Sequence, residues 1–374
     1  GVSRWARRGR FAVLAALADL TLFNAYQVLH SPTRWPDFAY FYAFAQAGLQ
    51  HGYAHLYETA TQDAAVHALF PGAPLLIVVN PPPFAWLLAP LTVIGYRPAL
   101  WIWTASMIVA LAAASQLVSP PDRYSRALFI GSWLGFLPAY LLFVSAPLAP
   151  LIVLSLVVAW WLVRSDHEVA AGLVLAIGLL KPTLAILVPF TLLAAGHRKL
   201  FLAWLAASIV FVIASAASLG ESGIRAYLTM STAFASNAYY LRWSLVPILG
   251  DGAPWLAAVL LLTAATMLVA WVLRHDGPEP VIAVGVMGSV LVNHHMTPGD
   301  LMMLLAPIWL LARAQGSWVR NVLLGVAWSG GWLALIFPAL VLVVAAGTPL
   351  ALAIQHAVVR SRPQPALRGA EGEI

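Results

Sequence analysis

Long apolar runs cut by short polar stretches set the pattern of this chain. They cover residues 11–29, 82–94, 99–118, 127–143, 148–163, 169–195, 200–219, 255–273, 281–293, 301–312, 319–337 and 339–354. A bilayer core of roughly 30 Å takes about 20 helical residues per crossing, so the pattern predicts about twelve membrane-spanning helices, within a range of roughly 10–13. The run 169–195 also reads as two short helices broken at Lys181-Pro182, which leaves the parity of the middle of the chain open. Two short runs, 281–293 and 301–312, flank the polar stretch from Asn293 to Asp300, and such broken backbone is tolerated at membrane depth where it lines a cavity.

Two stretches are too long and too polar for simple hairpins. Residues 30–74 form a first large loop and residues 220–250, with Tyr239, Tyr240, Arg242 and Trp243, a second. Within the first, Pro36 disfavours helix before it and Asp37 favours a helix start, so a helix is predicted to begin near Asp37. Its Phe, Tyr and Ala residues fit an amphipathic helix lying in the headgroup layer. The whole reads as one all-α polytopic domain, 1–374, with a tail at 355–374.

Composition supports that reading. The chain has 374 residues, 61% hydrophobic and 9% charged, with a mean hydropathy of +0.85, whereas soluble domains are about 25% charged. So few charged side chains cannot cover a soluble globule of this size, which excludes a soluble enzyme, a disordered chain and a nucleic-acid partner. The solvent is expected to be membrane lipid. Cysteine is absent, so disulfides, thiolate chemistry and Cys-ligated metals are excluded.

Eighteen of the 20 basic residues are Arg, and they gather at the ends of apolar runs. Basic loops favour the cytoplasm, so Arg4, Arg7, Arg8 and Arg10 place a retained first helix with its N-terminus inside and both large loops on the non-cytoplasmic face. The tail and the linker from Arg313 to Arg320 then fall inside. Arg123 and Arg126 land outside, against the rule.

Ionisable groups in or beside apolar runs are functional candidates by default. Asp37 is either a helix-start residue or a general base at the lipid–water boundary, with Tyr40 and Phe41 on its face. Lys181 is one of two lysines and lies deep in an apolar run, where it either satisfies the break at Pro182 or meets an anion. His294 and His295 are adjacent and make a poor metal pair, but they sit at a polar break suited to phosphate. Asp300 is either a cap for the helix that follows or a substrate contact. His51, His55 and Glu58 have metal-compatible spacing, but Gly52 weakens the helix there, and no metal is expected. Asp19 and Asn24 are read as helix–helix polar contacts. No P-loop, dinucleotide fingerprint or nucleophile elbow is present.

Four segments together resemble bacterial glycosyltransferase family 87. They are Asp37-Phe-Ala-Tyr-Phe-Tyr-Ala-Phe-Ala with Leu56-Tyr57, then Asn80-Pro-Pro-Pro-Phe, then Gly178-Leu-Leu-Lys-Pro-Thr, and finally His294-His295 through Asp300 to Pro307. The resemblance spans about residues 11–312. Two departures stand out: Asn80 occupies a position where that family usually has an aromatic residue, and Val144-Ser145-Ala146-Pro147 replaces a break containing Gly-Gln.

The resemblance implies a C-type glycosyltransferase fold like that of polyprenyl-phosphate-mannose-dependent mannosyltransferases, in a bacterial cytoplasmic membrane. It implies transfer of a sugar, mannose foremost, from a polyprenyl phosphate to a lipid or glycan acceptor on the outer face. Asp37 would be the base, and Lys181, His294, His295, Tyr40, Arg242 and Asp300 would be substrate contacts. No cofactor beyond the lipid-linked donor is implied. A departing polyprenyl phosphate needs cationic stabilisation more than an acid, so one carboxylate with Lys or His suffices and configuration inverts. Other readings are a transporter or flippase of a lipid-linked or anionic substrate, or an inactive scaffold. No inverted repeat favours the transporter.

Overall fold

A computed structural model describes residues 4–30, 36–314 and 318–361, and among them it is helical without a strand. The polar opening of the first large loop, three residues of the linker after Arg313 and most of the tail lie outside the described residues.

The front of the chain runs α1 (Arg4–His30), α2 (Asp37–His51), α3 (Thr59–Leu69), α4 (Pro82–Leu88) and α5 (Tyr96–Val118). Next come α6 (Arg123–Leu134), α7 (Leu141–Val144), α8 (Ala149–Arg164), α9 (Glu168–Leu175) and α10 (Val188–Ala194). The rear half begins with α11 (Arg198–Ala235), α12 (Ala238–Leu241), α13 (Val246–Leu249) and α14 (Ala253–Val272). It ends with α15 (Pro278–Leu291), α16 (Leu305–Arg313), α17 (Trp318–Leu333) and α18 (Ala339–Ser361).

Among the described residues, four helices are long and apolar enough to cross a membrane: α5, α11, α14 and α18. A fifth span results if α6 and residues 137–144, bent by 69°, count as one. The expected count of about twelve crossings is not confirmed among the described residues, where several apolar runs form shorter or broken helices. The run 169–195 becomes α9, two 3-10 turns meeting at Lys181, and α10. Residue 181 precedes proline and adopts φ −148°, ψ 78°, outside the helical region, as a residue before proline should. The run 301–312 is split likewise into a 3-10 helix, Pro298–Leu304, and α16.

The helix predicted at Asp37 forms. In α2, Phe38, Tyr40, Tyr42 and Phe44 are all buried in protein, as are the alanines between them, so this is a core helix. Phe38 stacks on Trp103 of α5, and the Tyr42 hydroxyl donates to the Thr92 carbonyl at 3.0 Å. Gly52, at φ 84°, ends α2 and puts His51 and His55 on different elements; the His55 imidazole instead meets the Glu58 carboxylate at 2.7 Å. The polar contact expected in the first run is made by Asn24, whose Nδ2 donates to the Leu134 carbonyl of α6 at 2.8 Å.

α11 is two helices joined at Gly220, whose φ of 62° and ψ of −175° only glycine adopts at little cost. The second half packs so closely on the turn Tyr53–His55 that a Cβ at Gly223 would lie 2.8 Å from the Ala54 carbonyl oxygen. This brings Tyr227, Ser231 and Phe234 opposite α2.

Candidate active site

A cavity of about 830 Å³ opens where α2, the segment 76–81, the break at Lys181, the second half of α11 and the loop 295–299 meet. Asp37, Tyr40 and Phe41 line it together, as their helical spacing requires. Much of the lining is apolar, with Leu76, Val78, Leu141, Val144, Leu148 and Leu335.

The Asp37 end is fixed by the loop that follows α7. The Phe38 amide donates to the Ser145 carbonyl at 3.2 Å, and the Trp103 indole donates to the Ala146 carbonyl at 2.9 Å. Ala146 holds φ 51°, a left-handed conformation that costs a non-glycine residue energy. The unusual segment 144–147 is therefore part of the cavity wall, through Val144, Ser145 and Pro147.

Among the described residues no protein group hydrogen-bonds the Asp37 carboxylate. Burial raises its pKa from 3.8 to about 6, against the pull of the Lys181 ammonium and with a further push from Asp300. A group with this value is largely ionised at neutral pH yet accepts a proton readily, as a general base should. Burial, and then the Asp37 charge, also raises the Tyr40 phenol, which keeps its proton. The Tyr40 hydroxyl is buried without a hydrogen-bond partner among the described residues.

Lys181 and Asp300, 119 residues apart, form an ion pair with Nζ–Oδ1 at 2.5 Å. Asp300 is 2% exposed, and its second oxygen accepts from the Thr297 amide at 2.8 Å. Asp300 is thus both a cap for the turn that follows and the partner of Lys181, with its carboxylate behind the cavity wall. Lys181 is 24% exposed, lines the cavity, and has ammonium protons beyond the one used by Asp300.

The two adjacent histidines separate. His295 lines the cavity, edge-on to Phe234, with Nδ1 buried and without a hydrogen-bond partner among the described residues; burial first and then the Lys181 charge lower its pKa to about 4, so it is neutral. His294 points elsewhere, with Nε2 3.3 Å from Asp251 and its ring edge-on to Trp255. Arg242 is also outside the cavity lining, its guanidinium held over Tyr239 and Trp243 at 4.2 and 4.3 Å. Among the described residues no three His, Asp or Glu side chains converge as metal ligands.

Sequence reasoning did not single out Gln62, which braces the cavity lining from behind at Val78. Its Nε2 donates to the Leu56 and Val78 carbonyls at 3.1 and 3.0 Å, and its Oε1 accepts from the Val78 amide at 2.9 Å. This clamp holds the extended segment before Asn80. Asn80 then donates from Nδ2 to the Leu180 carbonyl at 3.0 Å, beside Lys181. The available signal was the single side-chain amide of α3.

A family model described as glycosyltransferase family 87 matches residues 79–296, more than half of the chain. The chain belongs to glycosyltransferase family 87. No curated protein and no solved structure matches it. The matched stretch holds Asn80, Lys181, His294 and His295, while Asp37 and Asp300 lie outside it. This family 87 protein is therefore a membrane glycosyltransferase that takes a sugar donor and an acceptor. The cavity gathers a carboxylate, a cation and a largely apolar lining.

Proposed function

We propose that the protein transfers a sugar, mannose in the favoured reading, from a polyprenyl phosphate to a lipid or glycan hydroxyl. The transfer takes place on the outer face of the bacterial cytoplasmic membrane. The observation that carries this is the sharing of one cavity by the Lys181 ammonium and an Asp37 carboxylate that has no hydrogen bond from the described residues. The apolar lining suits the prenyl chain, and Lys181 suits the phosphate.

Asp37 takes the proton of the acceptor hydroxyl, whose oxygen attacks the anomeric carbon. The bond from that carbon to the phosphate oxygen breaks on the opposite face, so configuration inverts. The electron pair stays on the phosphate, which gains a charge that Lys181 stabilises without acting as an acid. His295, neutral in the free protein, gives the phosphate a hydrogen-bond donor. Lys181 is held in place by Asp300, which itself stays behind the wall.

A transfer assay tests this, with labelled polyprenyl-phosphate-mannose, envelope-lipid acceptors and protein in lipid vesicles. Wild type is expected to turn over, and Asp37→Asn to lose about 10²- to 10⁴-fold, the usual share of a general base. Equal turnover by both rejects Asp37 as the base. Counterflow of label without a covalent product replaces the enzyme by a transporter.

A further inference from the structure

We propose that Asn80 is a specificity-determining residue, presenting its amide oxygen to a hydroxyl of the donor sugar. The inference rests on the polyprenyl-phosphate donor reading above. Asn80 stands in the cavity wall, between the apolar segment before it and the break at Lys181.

The amide has only one sensible orientation. Its NH₂ donates to the Leu180 carbonyl at 3.0 Å, and turning the group over would set two acceptor oxygens against each other. The main chain is pinned as well, since the buried Tyr57 hydroxyl donates to the Asn80 carbonyl at 2.5 Å and Pro81 follows. Oδ1 is thereby held as an acceptor, and among the described residues it has no protein donor. A fixed acceptor without a partner in a cavity wall is suited to a ligand hydroxyl.

The place in the cavity says which ligand. Asn80 is bonded to the residue just before Lys181, so a sugar whose phosphate rests on Lys181 has its ring next to the amide. Besides the Asp37 carboxylate and the Lys181 ammonium, the hydroxyls of Tyr40, Thr183 and Ser231 line the same cavity and are buried without hydrogen-bond partners among the described residues. Those hydroxyls fit an uncharged polyhydroxylated ring. A site built to hydrogen-bond a hydroxyl also rejects the analogue that lacks it, because its own polar group is then left unpaired.

The test uses full-length protein in vesicles and a set of donors in which each ring hydroxyl of mannose in turn is replaced by hydrogen. Wild type, Asn80→Ala and Asn80→Asp are compared. Both variants lose the bond to Leu180, but only Asn80→Asp keeps an acceptor oxygen. For one analogue, wild type is expected to show a kcat/KM penalty of at least about tenfold, as for loss of a hydrogen bond in a buried site. The penalty should shrink below about threefold in Asn80→Ala and stay above about fivefold in Asn80→Asp.

Each penalty is a ratio within one preparation, so a reduced folded fraction cancels. If Asn80→Ala halts transfer, the same ratio is read from displacement of labelled donor. Equal penalties in wild type and Asn80→Ala for every analogue, or identical behaviour of the two variants, overturn the proposal while leaving the donor reading intact. A wild type that turns over no polyprenyl-phosphate sugar overturns the donor reading and this assignment with it.

Discussion

Asp37→Asn is expected to remove activity and yet stabilise the fold at neutral pH. The Asp37 carboxyl has its pKa raised from 3.8 to about 6, chiefly by burial. A carboxyl raised on folding binds more protons in the folded state between about pH 4 and 6, so stability falls as the pH rises through that window. At about 1.4 kcal/mol per tenfold in proton affinity, the cost of carrying the charge at neutral pH is at most about 3 kcal/mol. Water in the cavity lowers it. Asparagine has similar size and no charge, so the variant escapes that cost.

The assay is thermal unfolding of wild type and Asp37→Asn in one detergent at about pH 7.5 and pH 4.5, with transfer measured on the same preparations. The variant should melt higher at the upper pH, by up to about 5 °C, and the gap should close at the lower one. A variant that melts lower than wild type at neutral pH, or a gap unaffected by pH, refutes the argument that Asp37 is held charged against its environment.

Lys181 lowers the Asp37 pKa and Asp300 raises it, so Lys181→Gln should move the acid limb of kcat/KM above about pH 6 and Asp300→Asn below it. Shifts in the reverse sense refute the placement of these charges. Gln62→Leu leaves the Val78 amide and the Leu56 and Val78 carbonyls without their partner. At about 1–3 kcal/mol per buried group, it should lower the melting temperature and raise KM for the donor. Gly172→Ala drives a Cβ into the Leu200 carbonyl oxygen where α9 crosses α11, and should cost about 1–3 kcal/mol in thermal unfolding without moving the acid limb.

Local chemistry was legible and long-range chemistry was not. Pro36 followed by Asp37 marked the start of α2 because proline restricts the residue before it and an acidic side chain suits a helix N-terminus. Lys181-Pro182 marked a break for the same steric reason. Nothing in the neighbourhood of Lys181 points to Asp300, because a salt bridge across 119 residues has no linear trace. Tyr57, Gln62 and Asn80 act through main-chain carbonyls, which every residue has, so their partners could not be named from the sequence.

The number of membrane crossings is not confirmed, for a different reason. Both α14 and α15 are strongly apolar, but α14 buries little beyond Thr266 and Ala270, whereas α15 is buried at every residue from Glu279 to Leu291. Hydropathy records the absence of polar groups, which lipid and protein interior demand alike. What separates the two helices is what packs on them. Gly285 of α15 sits against Thr191 and Val188 of α10, and Gly288 sits against Thr266 of α14, so closely that a Cβ would collide with each. Small residues at those two positions admit neighbouring helices and bury α15 completely. The polar stretch ending at Asp300 therefore leaves a helix sheathed in protein rather than in lipid. A carboxylate 2% exposed can sit beside such apolar helices because the Lys181 ammonium and the Thr297 amide meet its two oxygens, and the same ion pair holds Lys181 at the cavity wall.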